Sequence, residues 1–297
     1  MNPDENVENA AARHHFLSPD LEQDTVEALS HRLLEVTEQL SAGNRSLKRL
    51  QKERSEMLAN LSHDLRAPLT AIRSAVDYLN SGQPLTDQDL QNALQLIDHR
   101  TSTLEHLIRD MYELFTLEDP SRNFSFQELD ALSFLEEYFY AALPDSQYAA
   151  HTMQLQVSPT LHATLFADPG KLVRVLDNLL SNAAKYAPPH TRITLGAELS
   201  ADASSLRIFV TDFGPGIPPK DLEHIFRRTY TVSSARTPNS ATGSGLGLAI
   251  VSAIVKRHGG TVSCQSVLGS GSTFTVTLPV KASGSPGRNI SGFPFCG

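Results

Sequence analysis

The segment GKLVRVLDNLLSNAAKY, residues 170–186, decides how the C-terminal half of the chain folds. Its apolar residues recur at threes and fours, the period of a helix lying on a core. TRITLGAEL (191–199) and LRIFVTDF (206–213) follow it and alternate apolar with polar residues, the period of strands. Upstream, LQVSP (155–159) and ATLFAD (163–168) read as strands. Downstream, GLGLAIVSAIVKRHG (245–259) reads as a helix ending at Gly259, and GGTVSCQS (259–266) and STFTVTLP (272–279) as closing strands. Strands interleaved with helices predict an α/β sandwich, one sheet with helices on one face.

The N-terminal half has a different period. Val26, Leu33, Leu40, Leu47 and Leu61 share one heptad position, and Leu29, Val36, Leu50 and Met57 fill the other, with Gly43 and Arg54 as interruptions. Such a repeat makes a narrow apolar seam that a lone helix cannot hide, so a partner helix is implied. The helix is expected to run through His63 to about Asn80, with Pro68 bending its axis. SGQP (81–84) breaks it, and TDQDLQ (86–91) is a near capping box for a second helix ending near residues 118–120. Two amphipathic helices joined by a short turn form a hairpin, and two such hairpins a four-helix bundle. The whole is an α+β chain.

The bulk properties exclude several classes. Hydrophobic residues make up 40% of the 297, enough for a packed core, and no apolar tract reaches membrane-spanning length. The polar, acidic start MNPDENVENAAARHH is neither a signal nor a transit peptide. A net charge of −8 argues against general nucleic-acid binding. Cys264 and Cys296 support neither a disulfide framework nor a zinc site. A cytoplasmic location is expected.

Four segments carry candidate chemistry. Asn178 and Asn182 stand four apart on one helical face. A neutral amide oxygen there can bind Mg²⁺, which keeps several waters and leans on substrate phosphates, and Lys185 can lie against a phosphate. In TDFGPGIP (211–218), Asp212 at a strand end can accept a hydrogen bond from an exocyclic amine such as adenine's, and Gly214 and Gly216 allow close backbone approach. GSGLGLAIV (243–251) sets Gly243, Gly245 and Gly247 ahead of a helix, where backbone N–H groups and the dipole favour an anion. It matches neither the dinucleotide fingerprint nor the Walker loop. In LSHDLRAPL (61–69), His63 lies beside Asp64, which can orient its ring. Each segment alone also fits an ordinary amphipathic helix, turn or surface histidine.

Their order resembles the histidine protein kinases of two-component signalling over about residues 50–280. HDLRAPL is similar to the family's phospho-acceptor box, NLLSNAAKY to its asparagine box, DFGPGIP and GSGLGLAI to its glycine boxes, and DLEHIFRRTY (221–230) to its phenylalanine box. The resemblance implies that His63 accepts the phosphoryl group and Asp64 assists it. It implies that Asn182 holds Mg²⁺ with Asn178 in support, that Lys185 and Tyr186 line the ATP site, and that Asp212 reads adenine beside Gly214 and Gly216. Residues 219–242, including Phe226, become the ATP lid, and Gly243, Gly245, Leu246 and Gly247 close over the phosphates. The implied fold is the ATPase sandwich shared with gyrase, Hsp90 and MutL-type proteins, and the implied partners are a second copy and a response-regulator receiver domain.

The expected organisation is a flexible N-terminus (1–20), a coiled-coil signalling helix (21–55), a dimerisation and phosphotransfer domain (56–119), an ATP-binding domain (120–280) and a disordered tail (281–297). Residues 24–40 resemble the second helix of a HAMP linker, with ordinary coiled coil as the alternative. The chain departs from the family at Arg227-Arg228-Thr229-Tyr230, where E-R-F-Y is frequent, at Ser272, where Thr is usual, and at Ala67. Bifunctional members carry Thr or Asn at this last position to hold a hydrolytic water, so weak phosphatase activity is implied. A nucleotide-binding scaffold and a gyrase-type ATPase are the alternatives, the latter disfavoured because Asn178 stands where that class needs a Glu base.

Overall fold

The structure, a computed structural model, describes residues 19–82, 84–119, 124–228, 230 and 245–281. Most of the segments expected to be a flexible N-terminus and a disordered tail lie outside the described residues, as do Gly243, Cys296 and most of the expected lid. Pro19 and Asp20, expected in the flexible stretch, are instead the first residues of a helix.

That helix, α1 (Pro19–Leu79), runs 61 residues with Pro68 inside it. The chain divides into two compact units after Ala59. In the first unit α1 is a rod, and its heptad residues Leu29, Leu33, Val36, Leu40 and Leu47 are all exposed.

In the second unit the rest of α1 pairs with α2 (Asp87–Glu118). Thr86 caps α2 with a full box. Its hydroxyl accepts from the Asp89 N–H at 3.1 Å, and its own N–H donates to Asp89 Oδ2 at 3.0 Å. Asp89 thus fills the third helical position, where Glu or Gln is commoner. Leu61, Ala75, Ala93, Leu107, Leu114 and Leu117 are buried in this part.

The remainder is β1 (Gln127–Asp130), α3 (Ala131–Ala142), β2 (Thr152–Val157), β3 (Thr164–Ala167), α4 (Pro169–Tyr186), β4 (Arg192–Leu199), β5 (Ser205–Asp212), α5 (Pro219–Leu222), α6 (Gly247–Arg257), β6 (Thr261–Val267) and β7 (Gly271–Pro279). Five strands form one sheet in the order β2-β4-β5-β7-β6, with β2 and β4 parallel and the other neighbours antiparallel. β1 and β3 form a separate antiparallel pair, which the sequence pattern did not predict. The core joins Ile193, Leu195, Leu206, Ile208, Val210, Phe274, Val276 and Leu278 of the sheet to Leu172, Leu176, Leu179, Ile250 and Ile254 of α4 and α6. Each such side chain, fully buried, stabilises the fold by about 1.5–3 kcal/mol before chain entropy is subtracted.

Candidate functional site

Helix α4 is the axis on which the site is built. Its start is fixed by Asp168, whose carboxylate accepts from the Lys171 N–H at 3.1 Å and from the Ser125 N–H at 2.9 Å. The Asp168 N–H donates to His258 Nε2 at 3.0 Å, while His258 Nδ1 donates to the Ile254 carbonyl at 2.8 Å. One neutral imidazole thereby ties the start of α4 to the end of α6. Burial holds the His258 pKa below its ordinary value, consistent with that neutral form.

About three and four turns further along, the two asparagines do different things. Asn178 is buried, and its amide nitrogen donates to the Arg174 carbonyl at 2.9 Å. Its Oδ1 lies against Gly247, 2.8 Å from where a Cβ would stand. Asn182 is half-buried, and its side chain makes no hydrogen bond among the described residues. Lys185 follows, with Nζ 4.9 Å from the Tyr186 ring centroid. Desolvation of its ammonium pulls its pKa down to about 8. Tyr186 is partly exposed at the C-terminal end of α4.

Beside that end, Asp212 closes β5 and is buried. Its Oδ1 accepts from the Gly214 N–H at 2.8 Å. Burial raises its pKa, opposed by hydrogen bonds from the Gly214 and Ser272 backbones. The glycines of this loop have specific causes. A Cβ on Gly214 would meet Asp212 Oδ1 at 2.8 Å and the Tyr186 carbonyl oxygen at 3.1 Å. Gly216 has φ +72° and abuts the Val267 carbonyl. The protein's own backbone, rather than a ligand alone, therefore demands both glycines.

The loop also rests on hydroxyls that motif reading missed. Ser266 Oγ accepts from the Ile217 N–H and donates to the Gly271 carbonyl, each at 2.8 Å. Its one proton being used, Ser272 is left to donate to it across 3.0 Å. The serine at 272 thus retains a hydroxyl beside Asp212. Gly271, with φ +112°, packs on the Asp212 carbonyl and was equally unread in the sequence.

Gly245 (φ +64°) turns the chain into α6, whose first residue is Gly247. Leu246 precedes it, fully buried, and among the described residues no side chain caps the helix. The positive end of α6 favours an anion. Phe226 packs edge-on to Phe274 at 6.5 Å between centroids, anchoring the base of the expected lid to the sheet. Tyr230 donates to the buried Asp221 at 2.6 Å.

His63 stands apart from this set. Its side chain is 81% exposed, with Nδ1 at 3.4 Å from Asp64 Oδ1. The structure thus gathers Asn182, Lys185, Tyr186, Asp212 and Gly247 around α4 and leaves the imidazole on the hairpin. A cluster across the two also went unread. Lys171 Nζ and Arg174 Nε of α4 reach Glu113 of α2 at 2.9 and 2.8 Å, and Arg174 also pairs with Asp110.

Among the described residues no group of three or more His, Cys, Asp or Glu could hold a metal. A caged metal therefore finds no place there, whereas the free amide of Asn182 beside Lys185 fits an ion that keeps most of its water and binds through substrate phosphates. Nor is any described helix long and apolar enough to cross a membrane.

Two family models match parts of the chain. Residues 53–120 match the family described as "His Kinase A (phospho-acceptor) domain", and residues 167–282 match "Histidine kinase-, DNA gyrase B-, and HSP90-like ATPase". The sensor histidine kinase WalK of Bacillus subtilis is 32% identical over 260 residues, which are 88% of this chain and 41% of that protein. WalK of Staphylococcus saprophyticus is 32% identical over 232 residues, 78% of this chain and 37% of its own. The chain thus spans about two-fifths of the length of these relatives. Among solved structures, ShkA in complex with AMPPNP shares 27% identity at a TM-score of 0.54, over 78% of this chain and 47% of that one. ThkA in complex with the response regulator protein TrrA shares the fold at a TM-score of 0.62 and 21% identity, over 78% of this chain and 65% of that one. A phospho-acceptor hairpin joined to an ATPase domain of this type, aligned through both parts with WalK kinases, is the architecture of one family, and the chain belongs to the sensor histidine kinases of two-component systems.

Proposed function

We propose that the chain binds Mg-ATP at α4, the Asp212 loop and α6, phosphorylates His63 and passes the phosphoryl group to an aspartate of a response-regulator receiver domain, working as a homodimer. The observation that carries this reading is the pairing of an exposed imidazole next to a carboxylate with a separate site offering an unspent amide, an ammonium and an uncapped helix start. Asp212, its Oδ1 engaged by Gly214, turns its remaining acceptor capacity to the adenine amine. Lys185 and the N–H groups at the start of α6 hold the phosphates. The charge neutralisation that Mg²⁺ supplies when bound would enter through the Asn182 amide oxygen.

For the transfer, Nδ1–H of His63 faces Asp64 and Nε2 keeps its lone pair. Nε2 attacks the γ-phosphorus in line, the bond to the bridging oxygen breaks, and ADP leaves. Asp64 offsets the positive charge that the ring gains. Little covalent chemistry is asked of the protein beyond positioning and charge. A gyrase-type ATPase would need a water-activating base at residue 178, and Asn178 is no base, its amide nitrogen being hydrogen-bonded to the Arg174 carbonyl.

Incubation with labelled ATP and Mg²⁺ is expected to give a label that acid removes and base spares, as for a phosphoramidate. His63→Gln is expected to abolish it. A label that persists in that variant, or steady ATP hydrolysis with no labelled protein, overturns the reading.

A further inference from the structure

Gly247 opens α6 with an ordinary negative φ, so its backbone conformation gives no reason for glycine. Alanine would be the better helix former there by about a kilocalorie per mole on propensity alone. What stands in the way is one side chain. A Cβ on Gly247 would lie 2.8 Å from Asn178 Oδ1, 3.5 Å from its Cγ and 3.9 Å from its Cβ. Asn178 cannot easily turn aside, because it is buried and its Nδ2 donates to the Arg174 carbonyl one turn back in α4.

We infer that Asn178 is a positioning residue, which seats the phosphate-binding start of α6 against α4 rather than touching nucleotide or metal itself. The inference rests on the nucleotide site proposed above and deepens it. The amide nitrogen is held by its own helix, and the oxygen stands in the space that a Cβ on Gly247 would take. Asn178 is buried with its oxygen turned to the start of α6, and the free amide one turn on, half-buried, is that of Asn182. At the opposite ends of the same two helices, His258 of α6 and the Asp168 N–H before α4 make the second tie. The spacing of α4 and α6, and hence the distance from Asn182 and Lys185 to the first N–H groups of α6, is set by these two contacts.

This account and its rival differ in one double variant. If Gly247 is glycine because a phosphate must approach it, an added methyl harms nucleotide binding whatever stands at residue 178. If it is glycine because Asn178 fills the space, removing the Asn178 side chain relieves the harm. The affinity of the full chain for a fluorescent ATP analogue with Mg²⁺ is to be measured for Gly247→Ala, Asn178→Ala and both together. Gly247→Ala is expected to weaken binding by about tenfold or more and Asn178→Ala by severalfold. The double variant is expected to bind about as well as Asn178→Ala alone, a coupling within the range seen for side chains in contact. Circular dichroism and the thermal midpoint show whether each variant is folded. Should Gly247→Ala fail to fold, recovery of the fold in the double variant is the same positive result.

A double variant as weak as the product of the two singles overturns the inference. So does an Asn178→Ala protein that loses its dependence on Mg²⁺ as Asn182→Ala is expected to. Binding is read without phosphotransfer, so a chain that binds the analogue but never labels His63 fails the kinase reading and leaves this one standing.

Discussion

Lys185 shows what the sequence could and could not say about one residue. Its place one turn after Asn182 marks it as a phosphate contact, but only its surroundings give it a pKa near 8. The protonated form is the one a phosphate needs. The free-enzyme ionisation appears in kcat/KM for ATP, which is expected to be level below about pH 8 and to fall roughly tenfold by one pH unit above it. Lys185→Met is expected to lose roughly tenfold to a hundredfold of kcat/KM at pH 7, the worth of a charged hydrogen bond, and to show no such fall. A Lys185→Met profile that still declines above pH 8 would assign the ionisation elsewhere. Ala67, exposed on α1 four residues after His63, supports a second expectation. Its methyl group cannot hold a water in line with an aspartyl phosphate, so Ala67→Thr is expected to raise dephosphorylation of a phospho-receiver by a factor of tens. Autophosphorylation is expected to stay within about twofold, since His63 and Asp64 are untouched. The reading is lost if the unmodified chain already dephosphorylates rapidly. At this scale the residue types were legible, and the allocation of roles was not. The resemblance gives Asn182 the metal and Asn178 a supporting part, but by residue type the two are alike, and only their neighbours separate a buried, hydrogen-bonded amide from a half-buried free one. Ser266 and Gly271 carry no motif, and their partners in the Asp212 loop lie some fifty residues away.

At the scale of elements, long periodic segments were readable because one face decides them. The two hairpin helices, α4, α6 and most strands fall where their period places them. β1, QELD, holds one apolar residue among polar ones, so neither an apolar run nor an alternation shows in it. The contact between α2 and α4 was illegible for another reason. Lys171 and Arg174 meet acids 58 to 64 residues away, and in sequence these are simply charges on the polar faces of two helices. The four side chains are 15–31% exposed, between the surface and buried limits. Their joint contribution to docking the ATP-binding domain on α2 is about 1–2 kcal/mol, between values for exposed and buried pairs. Arg257 over the Phe124 ring at 4.2 Å and His258 edge-on to the stacked Phe124 and Phe126 rings add packing where the segment after α2 meets the end of α6. Arg174→Met is therefore expected to loosen α2 from the domain without unfolding either. Amide exchange along residues 107–117 is expected to quicken severalfold, and moderate salt is expected to do the same to the unmodified chain and less to the variant, which keeps only the Lys171–Glu113 pair. Equal protection in both proteins at both salt concentrations would show that packing alone holds the junction.

At the scale of the whole molecule the apolar residues of the helical part demand a partner. Leu29, Leu33, Leu40 and Leu47 keep 59–64% of their surface exposed on a helix that is the one element of its unit among the described residues. The hairpin adds Leu69, Val76, Leu90, Leu94, Ile108 and Phe115, all exposed. An isolated rod of this kind is not a stable end state, because helical order in water rests mostly on burial of an apolar face. Full burial of one leucine is worth about 1.5–3 kcal/mol, so the first four in each of two chains can supply roughly 10 kcal/mol. That is comparable with the roughly 4–15 kcal/mol lost in bringing two chains together, and the hairpin seam tips the balance. The heptad spacing selects another helix of the same spacing, and a second copy supplies one in register. Sedimentation equilibrium of the full chain is expected to give a dimer at micromolar concentration. Leu33→Glu combined with Leu40→Glu places four carboxylates in the seam of each dimer. Burial of even partly solvated charges there is expected to weaken association at least a hundredfold. Leu94→Glu tests the hairpin seam independently, since it leaves the heptads intact and is expected to weaken the dimer as well. If the unmodified chain sediments as a folded monomer at those concentrations, the exposed residues have another partner and the two seams were read wrongly. If only the heptad variant dissociates, the coil is the dimer interface and the hairpin a passenger on it.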